Sequence, residues 1–365
     1  MPNTTSTLTW RRLPAHTLLG DEAMQAKWDT LNAVRLDLPF LSAAAVTTAL
    51  EVFGSGQELL LVGHHSGQIA SMLVLVSDGA LRWRTFQPSQ LPLGAWVAAP
   101  NLNLADMCRS AMHGPLRTCL VLSITQVDPL LAERQEDAND TCHNDYIDTA
   151  WLDVQGSFDD YWAARGKNLR QNLRKQRNRL AAEGLSTTMR VLRQPQDIAP
   201  ALDRYGILES AGWKAGEGTA IHAANTQGNF YRRLLEAAAR RGEALVTEYL
   251  IGERSVAMNL CLMRNGTLVV LKTTYDESMP KSLSPAFLLR EDELRSVFAG
   301  DEIRRIEYYG RVMEWHTKLT EQKRTLYHLS TYRWPLIKYL AQRRRRLTQS
   351  RSIDTAASSE PSAAG

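Results

Sequence analysis

Apolar residues recur at helical spacing from Asp21 to Arg35 and from Ser42 to Phe53, which predicts two helices parted by a Leu-Asp-Leu-Pro break. The period then changes. Glu58–Val62, Gln68–Val76 and Leu81–Phe86 are rich in β-branched and aliphatic residues and read as strands. His64-His65-Ser66-Gly67 and Ser77-Asp78-Gly79 between them are turn sequences, so the three strands form an antiparallel meander. A loop with Pro88, Pro92 and Gly94 leads to a predicted helix over Leu104–Met112, and Cys119–Thr125 and Tyr146–Val154 close this half as strands. Asp137–Asn144 is polar and without period, which predicts an exposed loop.

The second half runs through a similar order. Residues 165–180 read as a helix with a thin seam of Leu169, Leu173 and Leu180. Leu185–Arg193 reads as a strand, and Pro195–Ser210 and Gln227–Arg241 as helices. Ala244–Ile251, Ser255–Met263 and Thr267–Tyr275 form a second meander, followed by strands at Ile303–Tyr309 and Arg324–Tyr332. No residue-level repeat links the halves; the likeness is one of pattern. Past Pro335 a short helix ends in a run of arginines, and 348–365 is Ser/Ala-rich, which predicts disorder.

One stretch carries candidate chemistry. Thr267–Tyr275 is a strand, Asp276–Ser284 a polar loop, and Pro285 stands at a first helical position after a Ser suited to capping. Phe287, Leu288, Leu294 and Val297 share one helical face, with Glu291, Asp292 and Glu293 expected on the other. Strand, loop and helix N-terminus together make an anion-binding geometry, to which Lys281 would add a charge. An ordinary β-α connection has the same local pattern.

Composition narrows the classes. The 365 residues suggest two domains, and a net charge of +4 selects no partner. Charge distribution says more: Asp128–Asp160 is acidic but for Arg134, and residues 165–180 then carry seven positive charges and no acid. That helix would bind nucleic acid, lie solvated on the acidic segment, or line the entrance of an anionic ligand. Without interleaved aromatics or a partner helix, nucleic acid is the weakest of the three. Cys108, Cys119, Cys142 and Cys261 form no CxxC pair, which predicts reduced thiols rather than disulfides or zinc. No apolar leader and no membrane-length apolar run are present, which predicts a cytoplasmic protein. The basic C-terminal helix would be solvated or in weak contact with an anionic membrane surface. No metal motif is found: there is no HExxH and no calcium-type loop.

Several short runs resemble the GNAT acyltransferases, and in particular the branch called CelD-like or polysaccharide-biosynthesis acetyltransferases, related to the Fem-type aminoacyltransferases. They are LRQNLRK at 169–175, SAGWK at 210–214 with GTA at 218–220, KTTYDE at 272–277, SPA at 284–286, and IEYYG at 306–310 with Lys318 beyond. The resemblance is clearest over 155–333. It implies an α/β (α+β) fold of tandem GNAT-like domains, each a central mixed, largely antiparallel sheet flanked by helices. Residues 10–154 would be a degenerate partner domain, 155–333 the acyltransferase domain, 334–347 a basic helix and 348–365 a tail. Two departures stand out: the family's usual SerProGly is SerProAla286 here, and its usual fifth-strand Asp is Glu307.

The resemblance further implies an enzyme that moves an acyl group, other than an aminoacyl group, from acetyl-CoA or another acyl-CoA to an amine, with no metal. The acceptor would be a small-molecule or sugar-linked amine, such as an envelope or exopolysaccharide precursor. Lys272, Thr273 and Thr274 would meet the thioester, and Lys281, Ser284, Pro285, Ala286, Phe287 and Leu288 the pyrophosphate. Glu307, with Glu248 as second choice, would remove the amine proton, and Tyr309 or Tyr308 would protonate the leaving thiolate. Trp213, Lys214, Glu217 and Lys318 would face the acceptor, with His316 a satisfied structural residue. Two rivals stay open: a Fem-like transferase using aminoacyl-tRNA, and a non-catalytic protein with a GNAT fold.

Overall fold

A computed structural model describes residues 8–210, 221 and 225–344. The N-terminal half runs β1 (Thr9–Pro14), α1 (Thr17–Gly20), α2 (Glu22–Ala33), α3 (Ala43–Phe53), β2 (Leu59–His65), β3 (Gln68–Ser77), β4 (Arg82–Thr85), β5 (Trp96–Ala98), α4 (Leu104–His113), β6 (Val121–Val127) and β7 (Thr141–Asp153). The C-terminal half runs α5 (Phe158–Ala163), α6 (Lys167–Ala182), β8 (Thr187–Leu192), α7 (Pro195–Ser210), α8 (Thr226–Ala239), β9 (Ala244–Ile251), β10 (Arg254–Arg264), β11 (Thr267–Tyr275), α9 (Pro285–Ala299), β12 (Arg305–Glu307), α10 (Glu314–Thr317) and β13 (Lys323–Tyr332). A further helix spans 335–344. Side chains at the helix starts explain several boundaries. Asp21, Ser42, Asn103 and Asn225 each accept an amide hydrogen bond from the first turn of the helix that follows.

One mixed, mostly antiparallel sheet carries both halves, in the order β1-β2-β3-β4-β6-β13-β7-β12-β11-β10-β9-β8, with β5 paired to β3. The two halves share a similar order of elements and exchange strands. β13, from the end of the chain, lies between β6 and β7, and β7 in turn pairs with β12. Each half contains one parallel pair, β4 with β6 and β11 with β12. The helices α7 and α8 cover one face of the C-terminal sheet and share a core with α3, as in the contact of Phe53 with Phe230 at 5.1 Å. α9 covers the opposite face, with α5 and α6 against it.

Most predicted elements stand within a few residues of their expected ends, but some expectations need correction. The loop expected at Asp137–Asn144 gives its last residues to β7, because His143 and Cys142 pair with β13 and are buried. The strand expected at Ile303–Tyr309 is only Arg305–Glu307. β1 and β5 were hidden, being short. The basic helix α6 packs not on the acidic segment before it but on α9, where Arg177 pairs with Glu291 and Asp292. The acids of α9 are therefore not all solvated: Glu291 is buried against α6, and Glu293 against β9 and β10. All four cysteines are free and buried.

Candidate active site at the diverging strands of the C-terminal half

The site begins with a strand that loses its neighbour. β11 pairs with β12 only over Thr267–Val269, against Arg305–Glu307. One residue later β11 bulges: Leu260 of β10 faces Lys272 and Cys261 faces Val270, leaving Leu271 as the extra residue. A bulge bends its strand and sharpens its twist, and here it does so where β12 ends. On the other arm Tyr309 takes a left-handed backbone at φ 45° and the chain turns off. The result is a cleft between Leu271–Tyr275 and the residues after Glu307.

Two cavities open on this cleft. The first, about 640 Å³, lies on the α9 face and is lined by Thr273, Tyr275, Lys281, Ser284–Phe287, Arg290 and Trp315 among others. The second, about 510 Å³, lies on the α8 face between the halves, where Val270–Lys272, Tyr231 and Tyr308–Arg311 meet Gln87, Gln90, Gln126 and Tyr146 of the N-terminal half. Gln126, at φ 47°, is left-handed like Tyr309, and both line this cavity. Backbone strain outside hairpin turns is costly and collects at working sites.

The helix N-terminus in the first cavity differs from the simple expectation. Ser284 does not cap α9 with its side chain. Its amide donates to Gln176 Oε1 at 2.8 Å, while the Phe287 and Leu288 amides return to the Ser284 carbonyl at 2.9 and 3.0 Å. Pro285 has no N–H, so Ala286 supplies the one first-turn amide with no partner among the described residues. Lys281 is exposed at the rim. Lys318 pairs with Glu314 at 2.9 Å and stands over the Phe287 ring at 5.7 Å.

Beneath the cavity runs a polar ladder that the sequence did not reveal. Arg290 Nη2 donates to Thr273 Oγ1 at 3.1 Å, which donates to Asn259 Oδ1 at 2.7 Å. Asn259 Nδ2 and Thr247 Oγ1 donate to Glu293 at 2.9–3.1 Å. Burial raises the Glu293 carboxyl above its ordinary value. The Arg290 guanidinium lies on Trp315, 3.7 Å from the ring centroid. Trp315 in turn stacks on His316, and Tyr308 meets both rings edge-on. His316 is buried, accepts the Met313 amide at Nδ1, and is pushed down to about 4, so it is neutral at physiological pH.

Of the expected acids and tyrosines, Glu307 and Tyr309 share one buried network, whereas Tyr308 and Glu248 lie in other surroundings. Glu307 is 3 % exposed and lines neither cavity. Its Oε2 accepts from Arg324 Nη2 at 2.9 Å, and its Oε1 pairs with Arg305 Nε at 3.0 Å. Arg324 also grips Asp128, which accepts the Tyr309 hydroxyl at 2.9 Å. Burial pushes the Glu307 carboxyl up to about 7, against the pull of Arg324, whose charge it shares with Asp128. Tyr309 therefore points its hydroxyl into the core. Tyr308 lines the second cavity and touches the Trp315–His316 stack of the first. Burial raises its hydroxyl to about 12, leaving it protonated. Glu248 is buried in a two-pronged pair with Arg204 at 2.7 and 2.9 Å. Thr274 is buried two strands away, in register with Met258, which lies between it and Glu248. Lys272 reaches toward Gln227 at 3.5 Å and Glu209 at 3.9 Å. Trp213, Lys214 and Glu217 lie outside the described residues. Among the described residues no cluster of side chains could hold a metal ion, and no helix is long and apolar enough to cross a membrane.

The stretch that carries the diverging pair and the α9 N-terminus is also the stretch that matches a known family. Residues 167–317 match the family model described as acetyltransferase (GNAT) domain. The match runs from α6 through α10 and holds both the cleft and the first cavity's lining. No curated protein matches the chain. Among solved structures, the C-terminal domain of a proposed lysylphosphatidylglycerol synthetase from Agrobacterium fabrum is 12% identical, with a TM-score of 0.53 over 85% of this chain and 92% of that one. FemX is 9% identical, with a TM-score of 0.53 over 86% and 98%. A conserved protein of unknown function from Bacteroides thetaiotaomicron is 15% identical, with a TM-score of 0.50 over 84% and 97%. At these identities the likeness is one of fold, and the fold is of the GNAT acyltransferase type.

Proposed function

We propose that this protein is an N-acyltransferase that takes an acyl group from an acyl-CoA and gives it to an amine. The carrying observation is that β11 parts from β12 between two cavities on opposite faces of the sheet. The donor would enter from the α9 side, with its pyrophosphate at Ala286 and Lys281 and its thioester along Lys272–Thr274. The amine would arrive through the cavity between the halves. Its nitrogen attacks the thioester carbonyl carbon, the C–N bond forms as the C–S bond breaks, the nitrogen gives up one proton and the sulfur takes one. A β11 backbone N–H would steady the developing oxyanion. Tyr308, protonated and at the junction of both cavities, is better placed than Tyr309 to protonate the sulfur. Glu307, near 7, has the affinity expected of a base, but it would have to act through the groups that shield it. The amide and phenol lining of the second cavity suits a hydroxyl-rich acceptor such as an amino sugar of an envelope or exopolysaccharide precursor.

Thermal unfolding with acetyl-CoA, longer acyl-CoAs and free CoA tests this. A ligand at about a hundred times its dissociation constant adds ~2.7 kcal/mol if it binds only the folded state. A saturable rise in Tm supports the reading, and no rise with any CoA species removes it.

One observation favours a second donor, an aminoacyl-tRNA. α6 carries exposed Lys167, Arg174 and Lys175, and its Gln176 touches the start of α9, so a basic face borders the donor cavity. Retention of aminoacyl-tRNA on a filter, lost on Arg174→Glu with Lys175→Glu, would favour it over the CoA reading.

The helix 335–344 supports a site of action. Leu336, Tyr339 and Leu340 are more than half or about half exposed, beside exposed Arg343 and Arg344. An apolar stripe flanked by cations fits an anionic bilayer surface. Flotation with phosphatidylglycerol vesicles but not phosphatidylcholine vesicles, reduced by Leu336→Glu, is the expected result; equal recovery with both lipids argues against it.

A further inference from the structure

Arg290 is a buried cation with no carboxylate in direct contact among the described residues; Glu293 acts on it only through space. It is 5 % exposed. Two other arginines, the buried Arg324 and the half-buried Arg35, are satisfied differently. Arg324 holds Asp128 and Glu307, and Arg35 donates to the carbonyls of Ala98, Ala99, Leu102 and Leu131. Arg290 makes a single described hydrogen bond, to the neutral hydroxyl of Thr273. Glu293, one turn on, is turned away to Asn259 and Thr247. A guanidinium removed from water without an anion is costly, and stacking on Trp315 offsets only part of that cost. The group also lines the open 640 Å³ cavity.

Its depth says which part of a ligand it would meet. Arg290 is five residues beyond Pro285, so it lies about 7 Å along the axis from the helix N-terminus. Its guanidinium is fixed by Thr273 of β11 and by the Trp315 ring. Thr273, to which Arg290 is bonded, belongs to the part of β11 assigned to the thioester. Resting on the acyl-CoA reading, we propose that Arg290 pairs with a carboxylate at the far end of the donor's acyl group, so that the preferred donor is the CoA monothioester of a dicarboxylic acid. The four-carbon and five-carbon members, succinyl-CoA and glutaryl-CoA, are the natural probes. Trp315 holds the guanidinium plane from below and Thr273 holds one edge, leaving the remaining N–H groups for a two-point contact with the carboxylate.

The test measures dissociation constants of acetyl-CoA, succinyl-CoA and glutaryl-CoA for the full chain and for Arg290→Met, whose unbranched side chain keeps the stack on Trp315. The expected result is at least tenfold tighter binding of a dicarboxylic ester than of acetyl-CoA by the unmodified protein. Arg290→Met should bring that ratio to about one, and Arg290→Lys should restore part of it. Equal affinities in the unmodified protein overturn the proposal, and so does a preference that Arg290→Met leaves intact. The first comparison needs no variant, so a failure of Arg290→Met to fold does not blunt it. If acetyl-CoA binds without any dicarboxylic preference, this inference alone fails; if no CoA ester binds, the acyl-CoA reading fails with it.

Discussion

The two halves of the sheet contain the same device in opposite conditions. Each has a parallel pair that begins to diverge, β4 from β6 and β11 from β12. In the N-terminal half the gap is sewn shut. The hydroxyls of Thr85 and Thr125 lie 2.7 Å apart, and the Thr125 amide donates to Thr85 Oγ1 at 2.9 Å. The loop after β4 returns into the gap, where the Gly94 amide donates to the Thr125 carbonyl at 3.1 Å and Leu91 and Leu93 are buried. Gly94 fits because it has no side chain: a Cβ there would lie 2.4 Å from Thr85 Oγ1 and 2.7 Å from the Thr125 carbonyl. The helix that follows, α4, is capped by Asn103, which accepts the Ala105 and Asp106 amides. In the C-terminal half none of this happens. The loop after β11 stays out, Ser284 leaves α9 uncapped by its side chain, and a buried arginine faces the open space. The fold alone therefore does not make a site; a site remains only where the chain declines to fill its own cleft.

The largest way to break this arrangement acts on what the halves share. Arg324, on the exchanged strand β13, neutralises Asp128 from the N-terminal half and Glu307 from the C-terminal half. Arg324→Met should lower stability by about 3–5 kcal/mol, since buried Asp128 loses its cation and Glu307 loses one of two. Chemical denaturation should show it, and a loss under 1 kcal/mol would mean that the network does not hold the halves together. Next in size is Gly94→Val, which forces atoms into the closed cleft and should cost about 1–3 kcal/mol while leaving ligand-induced shifts in Tm unchanged. A changed ligand shift would show that the closed cleft is part of the site. Smaller again is a paired cap test. Asn103→Ala should cost about 1 kcal/mol, whereas Ser284→Ala should cost nearly nothing, because its hydroxyl caps no amide. Equal losses would contradict the contrast between the two helix starts.

A separate expected effect is a pH dependence that only the C-terminal arm carries. The Glu307 carboxyl stands at about 7 in the folded chain against an ordinary 4.5. The folded state therefore holds a proton between those values that the unfolded state has released. That contribution to stability is full below about 4.5 and is lost as pH rises to 7. Glu307→Gln should flatten this part of the stability–pH curve. If turnover also falls 100-fold or more in Glu307→Gln while the fold persists, Glu307 is the base; unchanged turnover makes it a packing residue.

Much of the architecture was legible because local pattern and local structure agree. Pro195–Ser210 and Thr267–Tyr275 have the ends expected from period and turn chemistry alone, and the Pro285 helix starts where the proline sets it. The strand–loop–helix element that lines the donor cavity could be found the same way. What the sequence could not tell was which polar residues are solvated. The triad of acids in α9 looks like a surface face, yet Glu293 is buried because Asn259 and Thr247, far apart in sequence, converge on it. Glu307 and Tyr309 are expected at the site, and only packing shows that Asp128 and Arg324, distant in sequence, hold them. Arg290 drew no notice as one more arginine on a helix, because only packing shows that it is buried and unpaired. Period, caps and turns depend on neighbours within a few residues, so the sequence by itself determines the elements and their order. Burial, charge pairing and the width of a cleft depend on strands brought together across the whole chain, here through the exchange of β7 and β13, and those the tertiary structure alone decided.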